Sequence, residues 1–277
     1  MRRIGLAFLA TVVCSALLPI PPAWAHGGRL PFLFWGNFPR AHLACQRALG
    51  RALSECAVGT LQVIARCSRE GADRGACEAG AQAEQLQALR TKALDTIDRF
   101  CSDRSAVQLG FLALIEAQAD ASRACTEVER WARQELPDSA SLGGADRACV
   151  AFLAQASVKL MRAGTENYRR FFDWLAIHFA PTNKRLRLLD QRRSEISRAA
   201  QKLAMVGVPL CAGSAMVPDS PEEFLGRVAR QAECVVGAAY VQDAVHCDTP
   251  GPTPTPTAAA TPSPSPTGAP LTPETPG

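Results

Sequence analysis

Apolar residues recur at every third or fourth position along most of this chain, a spacing that predicts α-helices and not strands. The stretch CQRALGRALSECAVGTLQVIARC, residues 45–67, shows the pattern: its apolar side chains share one stripe, and its charged side chains fall largely elsewhere. Similar stripes predict five further helices, at about 77–101, 105–135, 146–178, 183–206 and 220–247. The third begins with AVQLGFLALI, which is apolar on nearly every side, so we expect it to be a central element of the core.

Six helices with short connections favour an up-and-down bundle. The last helix has a clear start in SPEE, where Ser220 is the expected N-cap and Pro221 the first helical residue. Glu223 is then placed to complete a capping box with Ser220. We therefore predict an all-α fold, a disulfide-stapled up-and-down bundle of about six helices.

The N-terminus has the parts of a secretory signal peptide. Two arginines precede an apolar run, Ile4–Ile20, and the tripeptide AWA that ends at Ala25 matches a cleavage site. We predict that residues 1–25 are a signal peptide and that the mature chain begins at His26. The protein is thus expected to be exported, to a periplasm or to the extracellular space, with no membrane-spanning segment after cleavage.

The C-terminus changes composition after Cys247. Residues 248–277 contain 10 prolines and 8 threonines, and such a sequence forms neither a helix interior nor a packed core. We predict a disordered Pro/Thr-rich tail over these residues. A single helical, disulfide-rich domain of residues 26–247 remains between the two ends.

Charge and motifs narrow the function by exclusion. The chain carries a net charge of +4, and the two arginines of the predicted signal peptide account for half of it, so a nucleic-acid partner is not expected. The sequence contains no phosphate-binding loop, dinucleotide fingerprint or hydrolase motif, and it has only four histidines. We therefore expect no enzymatic activity and no cofactor.

The cysteines predict disulfide bonds, because residues 26–247 contain an even number of them in a chain expected to be exported. They are Cys45, Cys56, Cys67, Cys77, Cys101, Cys125, Cys149, Cys211, Cys234 and Cys247. The closest two are ten residues apart, whereas metal-thiolate sites need ligands within about one helical turn. Copper storage by thiolates is therefore a minor alternative.

Antiparallel packing of successive helices suggests particular cysteine pairs. Cysteines symmetric about a turn or break give three predicted pairs: Cys67–Cys77, Cys45–Cys101 and Cys125–Cys149. The remaining four have three possible connectivities, which the sequence does not separate: Cys56, Cys211, Cys234 and Cys247. We expect Cys56 to tie the first helix to the C-terminal part of the bundle.

Two segments are candidate interaction surfaces. The stretch LPFLFWGNFP, residues 30–39, either packs across the bundle or forms a contact surface with its aromatic side chains, Phe32, Phe34, Trp35 and Phe38. The predicted helix 183–206 carries six basic residues against two acidic ones. Arg192 and Arg193 are its candidate contacts for an anionic membrane or polymer, unless this helix simply presents a solvated face.

The order of HGG, PFLFWGNFP, ACQRALGRALSEC and DRFCSDRSAVQLGFLALIEAQAD resembles a group of uncharacterised exported bacterial proteins with helical, cysteine-rich domains. The resemblance covers most of residues 26–247 and implies a helical disulfide domain, but no activity. We expect a non-catalytic structural or interaction protein. The sequence identifies no partner, and a cell-envelope component is one candidate. The alternative is a carrier of a hydrophobic small molecule, which needs an enclosed apolar cavity of several hundred Å³ between the helices.

Overall fold

The computed structural model describes residues 40–70, 80–136, 142–178, 180–214 and 220–240, and within these ranges the chain is helical with no strand. The helices of this described part are α1 (Arg40–Glu70), α2 (Ala81–Phe100), α3 (Asp103–Gln108), α4 (Leu114–Glu135), α5 (Gly144–Ile177), α6 (Thr182–Cys211) and α7 (Pro221–Tyr240). The predicted all-α fold is confirmed. None of the described helices combines the length and the apolar character needed to cross a membrane.

Several predictions fall outside the described residues. They concern the signal peptide of residues 1–25, the tail of residues 248–277 and four aromatic residues, Phe32, Phe34, Trp35 and Phe38. These stay predictions.

The six long helices alternate in direction, as an up-and-down bundle requires. Helix α1 is central, because it packs against α2, α3, α4, α5 and α7. Its apolar stripe is buried as the sequence predicts: Leu49, Leu53 and Cys56 are at most 4% exposed. The charged side chains Arg51 and Glu55 lie on the opposite, exposed face.

One predicted disulfide is confirmed at the open end of the α1–α2 pair. The sulfurs of Cys45 and Cys101 are bonded at 2.05 Å, and the two Cα atoms are 4.6 Å apart. Antiparallel packing of α1 and α2 brings these residues together across 56 positions of sequence. The bond therefore closes the first helical hairpin at the end away from its turn.

The predicted pair Cys125–Cys149 is wrong. Cys125 is bonded to Cys56 on α1, and Cys149 is bonded to Cys211 at the end of α6. The reason is the position of α1, which packs against both α4 and α5, while α4 and α5 do not pack side by side. The expectation that Cys56 reaches the C-terminal part of the bundle is wrong for the same reason.

The other described cysteines are also bonded. Cys67 and Cys234 each take part in a disulfide. The predicted pair Cys67–Cys77 and the connectivity of Cys247 both involve residues outside the described part of the chain.

The predicted single central helix at 105–135 is wrong, because a turn at Gly110 divides this segment into the two helices α3 and α4. The Gly110 N–H donates to the Val107 carbonyl, and the Phe111 N–H donates to the Ala106 carbonyl, both at 3.0 Å. With φ of +89° at Gly110, these bonds form a Schellman cap that ends α3. The cap shifts the helical phase, so Leu112 is 84% exposed instead of buried.

Helix α6 is longer than predicted, since it continues through Pro209 to Cys211. Its basic residues are also not all solvated. Arg185 is only 4% exposed, and its Nε donates to the Ala180 carbonyl at 2.6 Å. Burial lowers the pKa of Arg185. The apolar residue Leu186 is 45% exposed on the same helix.

Helix α7 begins as predicted, and the residue at its C-terminal end packs against α5 in the core. The Ser220 N–H donates to Glu223 Oε2, and the Glu223 N–H donates to Ser220 Oγ, both at 3.2 Å, which confirms the capping box. At the other end, the Tyr240 hydroxyl donates to Asp173 Oδ1 at 2.6 Å. The Tyr240 ring also stacks on Phe172 of α5, with centroids 5.2 Å apart.

Candidate ligand cleft between α5 and α6

A cleft of about 540 Å³ lies between α5 and α6. From α5 it is lined by Glu166, Asn167, Arg170, Phe171 and Trp174. From α6 it is lined by Leu188 and Arg192. Its volume is within the range of pockets that hold small molecules in proteins.

The two helices are held in register along the cleft. They run antiparallel, with the Cys149–Cys211 bond at one end and a 3.3 Å hydrogen bond from Asn167 Nδ2 to Glu195 Oε2 farther along. Equal steps along both helices from this bond place Arg170 level with Arg192, and Trp174 level with Leu188. The cleft therefore has a polar end and an apolar end.

The apolar end is built from Phe171, Trp174 and Leu188. Phe171 is buried, whereas Trp174 and Leu188 are half-buried, so their faces remain open to the cleft. The indole of Trp174 stacks on the His178 ring with centroids 4.8 Å apart, and His178 Nδ1 lies 2.9 Å from the Trp174 carbonyl oxygen. This stacking limits the rotation of the indole and keeps the apolar wall in place.

Glu166 stands at the rim and is shared by two arginines. Its Oε2 accepts a 2.7 Å bond from Arg169 Nη2, and its Oε1 accepts a 2.7 Å bond from Arg170 Nε. Burial acts to raise the pKa of Glu166, but the bonds from Arg169 and Arg170 outweigh it and lower the pKa overall. Glu166 is therefore ionised at neutral pH and already supplied with donors.

Arg192 is held by a carboxylate of its own helix. Its Nη1 donates to Glu195 Oε2 at 2.9 Å. Glu195 also accepts bonds from Asn167 and Gln191. The bond from Arg192 is the main cause of the lowered pKa of Glu195.

The amide of Asn167 is only half satisfied. Its Nδ2 donates to Glu195, while its Oδ1 is buried and has no hydrogen-bond donor within the described part of the protein. The carboxylate fixes this orientation of the amide, since turning it over would bring two acceptor oxygens together. A buried oxygen without a donor has lost its hydrogen bonds to water and has gained none from the protein. A ligand that donates a hydrogen bond to it would recover part of this free-energy cost.

The structure separates the two arginines predicted as an interaction surface. Arg192 lines the cleft, but Arg193 points to α7, where its Nη2 donates to Glu233 Oε1 at 2.6 Å. The Glu233 side chain is only 10% exposed. Arg193 thus forms a structural ion pair that joins α6 to α7.

Sequence reasoning missed the α5 side of the cleft. Asn167, Arg170, Phe171 and Trp174 are spaced three and four residues apart, so they share one face of a helix. The sequence shows this mixed polar and aromatic face of α5. It does not show which helix packs against that face.

Two further observations bear on the site. Within the described ranges, no three His, Cys, Asp or Glu side chains come together as they would to hold a metal ion. No protein-family model, no curated protein and no solved structure matches the chain.

Proposed function

We propose that the protein is a non-catalytic binding domain that acts outside the cytoplasm, with the α5/α6 cleft as its ligand site. The observation that carries this proposal is the cleft itself, a volume of about 540 Å³ with an apolar end, a charged end and an unsatisfied amide oxygen. Such a combination is typical of sites that bind and orient a small molecule.

The disulfides support the extracytoplasmic part of the proposal. The described bridges join α1 to the end of α2, α1 to α4, and α5 to α6. Disulfides of this kind persist in oxidising compartments and are rare in the cytosol. They agree with the signal peptide predicted over residues 1–25, and export of the chain is part of this proposal. So is membership of the exported bacterial group that the sequence resembles.

The chemistry of the cleft favours binding over catalysis. A general acid or base works best with a pKa near the operating pH, whereas the pKa values of Glu166 and Glu195 are lowered by their arginine partners. The described cysteines support binding over copper storage, because a sulfur in a disulfide is not a thiolate ligand. A charged rim also favours a ligand that stays in contact with water over one enclosed in the bundle.

The test is to identify what the native protein carries. The exported protein would be purified without denaturation and analysed by native mass spectrometry for bound small molecules. We expect a bound species that Trp174→Ala loses and that Lys159→Ala, an exposed α5 variant outside the cleft, retains. A native protein with no small molecule bound, together with no binding to any compound in a broad ligand screen, would contradict the proposal.

A further inference from the structure

We propose that the α5/α6 cleft binds a small amphipathic acid, in particular one with a hydroxyl or N–H group beside the acidic group. The inference rests on the proposed function, since it names the ligand class of the same site. In this arrangement Arg170 and Arg192 hold the anionic group, Asn167 Oδ1 accepts from the neighbouring donor, and the apolar body lies on Trp174 and Leu188.

Two arginines lie on opposite walls of the cleft. Arg170 and Arg192 are level across the cleft, and each is paired on its own helix, Arg170 with Glu166 and Arg192 with Glu195. Arg170 uses its Nε and Arg192 its Nη1 for these pairs, and the remaining guanidinium donors have no partner in the described part of the chain. An anion placed between the two guanidiniums would accept from both and relieve their mutual repulsion.

The carboxylates of the cleft do not favour a cation. Glu166 already accepts from two arginines, and Glu195 accepts from Arg192, Asn167 and Gln191. The unused hydrogen-bonding capacity of the charged groups therefore lies in donors, which an acidic ligand matches.

Asn167 adds a requirement that a plain fatty acid does not meet. Its buried Oδ1 lacks a donor, and Asn167 is bonded to Glu195, the residue that holds Arg192. The missing donor is thus needed at the polar end, close to the place of the anionic group. A 2-hydroxy acid has this arrangement, and so does an N-acyl amino acid.

The apolar end sets the direction of the ligand. Trp174 and Leu188 are level with each other, about two helical turns from Asn167. A ligand with its acid between the arginines can therefore lay an alkyl or aromatic body along Phe171 and Trp174. Burial of that body would contribute to affinity in proportion to the apolar area that it covers.

The experiment compares four probes by isothermal titration calorimetry on the disulfide-intact protein: 2-hydroxydecanoate, decanoate, decane-1,2-diol and 1-aminodecan-2-ol. We expect 2-hydroxydecanoate to bind most tightly. Its affinity should be about tenfold or more above those of the diol and the amine, because neither of these has an anionic group to accept from both arginines. Its advantage over decanoate should be about threefold to tenfold, the effect of one hydrogen bond. Binding should weaken in about 0.5 M salt, which screens the contacts of the partly exposed arginines.

Variants assign the three contacts. Arg170→Gln and Arg192→Gln should each weaken 2-hydroxydecanoate about fivefold or more, while Arg162→Gln and Arg198→Gln, charge-matched changes outside the cleft, leave it unchanged. Asn167→Ala should abolish the preference for 2-hydroxydecanoate over decanoate. Thermal unfolding would verify that each variant is folded.

Three outcomes would overturn the inference: no binding of 2-hydroxydecanoate, equal binding of the diol or the amine, or arginine variants that behave like their controls. If native mass spectrometry then shows a small molecule of another class in the cleft, the proposed function stands without this inference. If it shows none, and a broad ligand screen also finds no bound compound, both fail.

Discussion

A methyl group on Gly164 of α5 would lie 2.7 Å from the Cβ of Ala232 on α7, closer than carbon atoms pack in proteins. Both residues are buried, and a Cβ cannot turn aside as the end of a long side chain can. Gly164 therefore marks a close approach between α5 and α7.

Gly164→Ala should consequently destabilise the fold by about 1–3 kcal/mol, the usual range for overpacking a core. The matched control is Gly226→Ala on α7, where the nearest atom to the added Cβ is 3.8 Å away. The control should be neutral or stabilise by up to about 1 kcal/mol, since alanine favours a helix. Urea unfolding measures both, and a Gly164→Ala variant as stable as the control would contradict the close approach.

The ion pair of Arg193 with Glu233 should contribute more to the free energy of unfolding than the more exposed pair of Arg192 with Glu195. Arg193→Ala would leave the buried Glu233 carboxylate without its cation, and we expect a loss of roughly 2 kcal/mol, reduced from fully buried cases because Arg193 is 41% exposed. Arg192→Ala removes a pair of two partly exposed side chains, Arg192 and Glu195, and should cost at most about 1 kcal/mol. Equal free energies of unfolding for the two variants would contradict this difference.

Two disulfides of similar loop length should have different effects on the cleft. Replacing either Cys56 and Cys125 or Cys149 and Cys211 by serine opens a loop of 69 or 62 residues. Each double variant should lose up to about 4 kcal/mol of unfolding free energy by loop-closure entropy. Only the loss of Cys149–Cys211, which joins the two walls, should also weaken ligand binding, as calorimetry under conditions where both variants are folded would show.

His42 should make the fold sensitive to mildly acidic pH. Burial, and secondly the charge of Arg104, lower the pKa of His42 below its ordinary value of 6.5. The unfolded chain thus binds a proton more readily than the folded one, and stability falls as the pH drops through 6.5. His42→Phe should reduce this fall in urea titrations between about pH 7.5 and about pH 5. An unchanged pH profile in His42→Phe would rule out this role.

The sequence predicted the helices well, because amphipathic stripes such as that of α1 are local. The prediction failed at Gly110 for a local reason too. The apolar residues of AVQLGF are typical of a helix interior, but a glycine followed by an apolar residue is also the pattern of a Schellman cap. A Schellman cap at Gly110 ends α3 and shifts the phase of the helix that follows. Leu112 is exposed for this reason.

The cysteine pairing failed for a different reason. Symmetry about a turn pairs cysteines correctly only where successive helices pack together, as α1 and α2 do for Cys45 and Cys101. Between Cys125 and Cys149 it fails, because the partners are chosen by tertiary contacts that no local pattern contains. The cleft was missed on the same ground, since the meeting of Arg170 and Arg192 depends on the register of two helices.

A disulfide-stapled domain of an oxidising compartment should show its bridges in a disulfide map of the exported chain. The full chain is produced in cells, recovered from outside the cytoplasm, alkylated without reduction, digested and analysed by mass spectrometry. We expect linked peptides for Cys45–Cys101, Cys56–Cys125 and Cys149–Cys211 and a mature chain that begins at His26. Alkylated thiols at any of these six cysteines, or failure to recover the protein outside the cytoplasm, would contradict it.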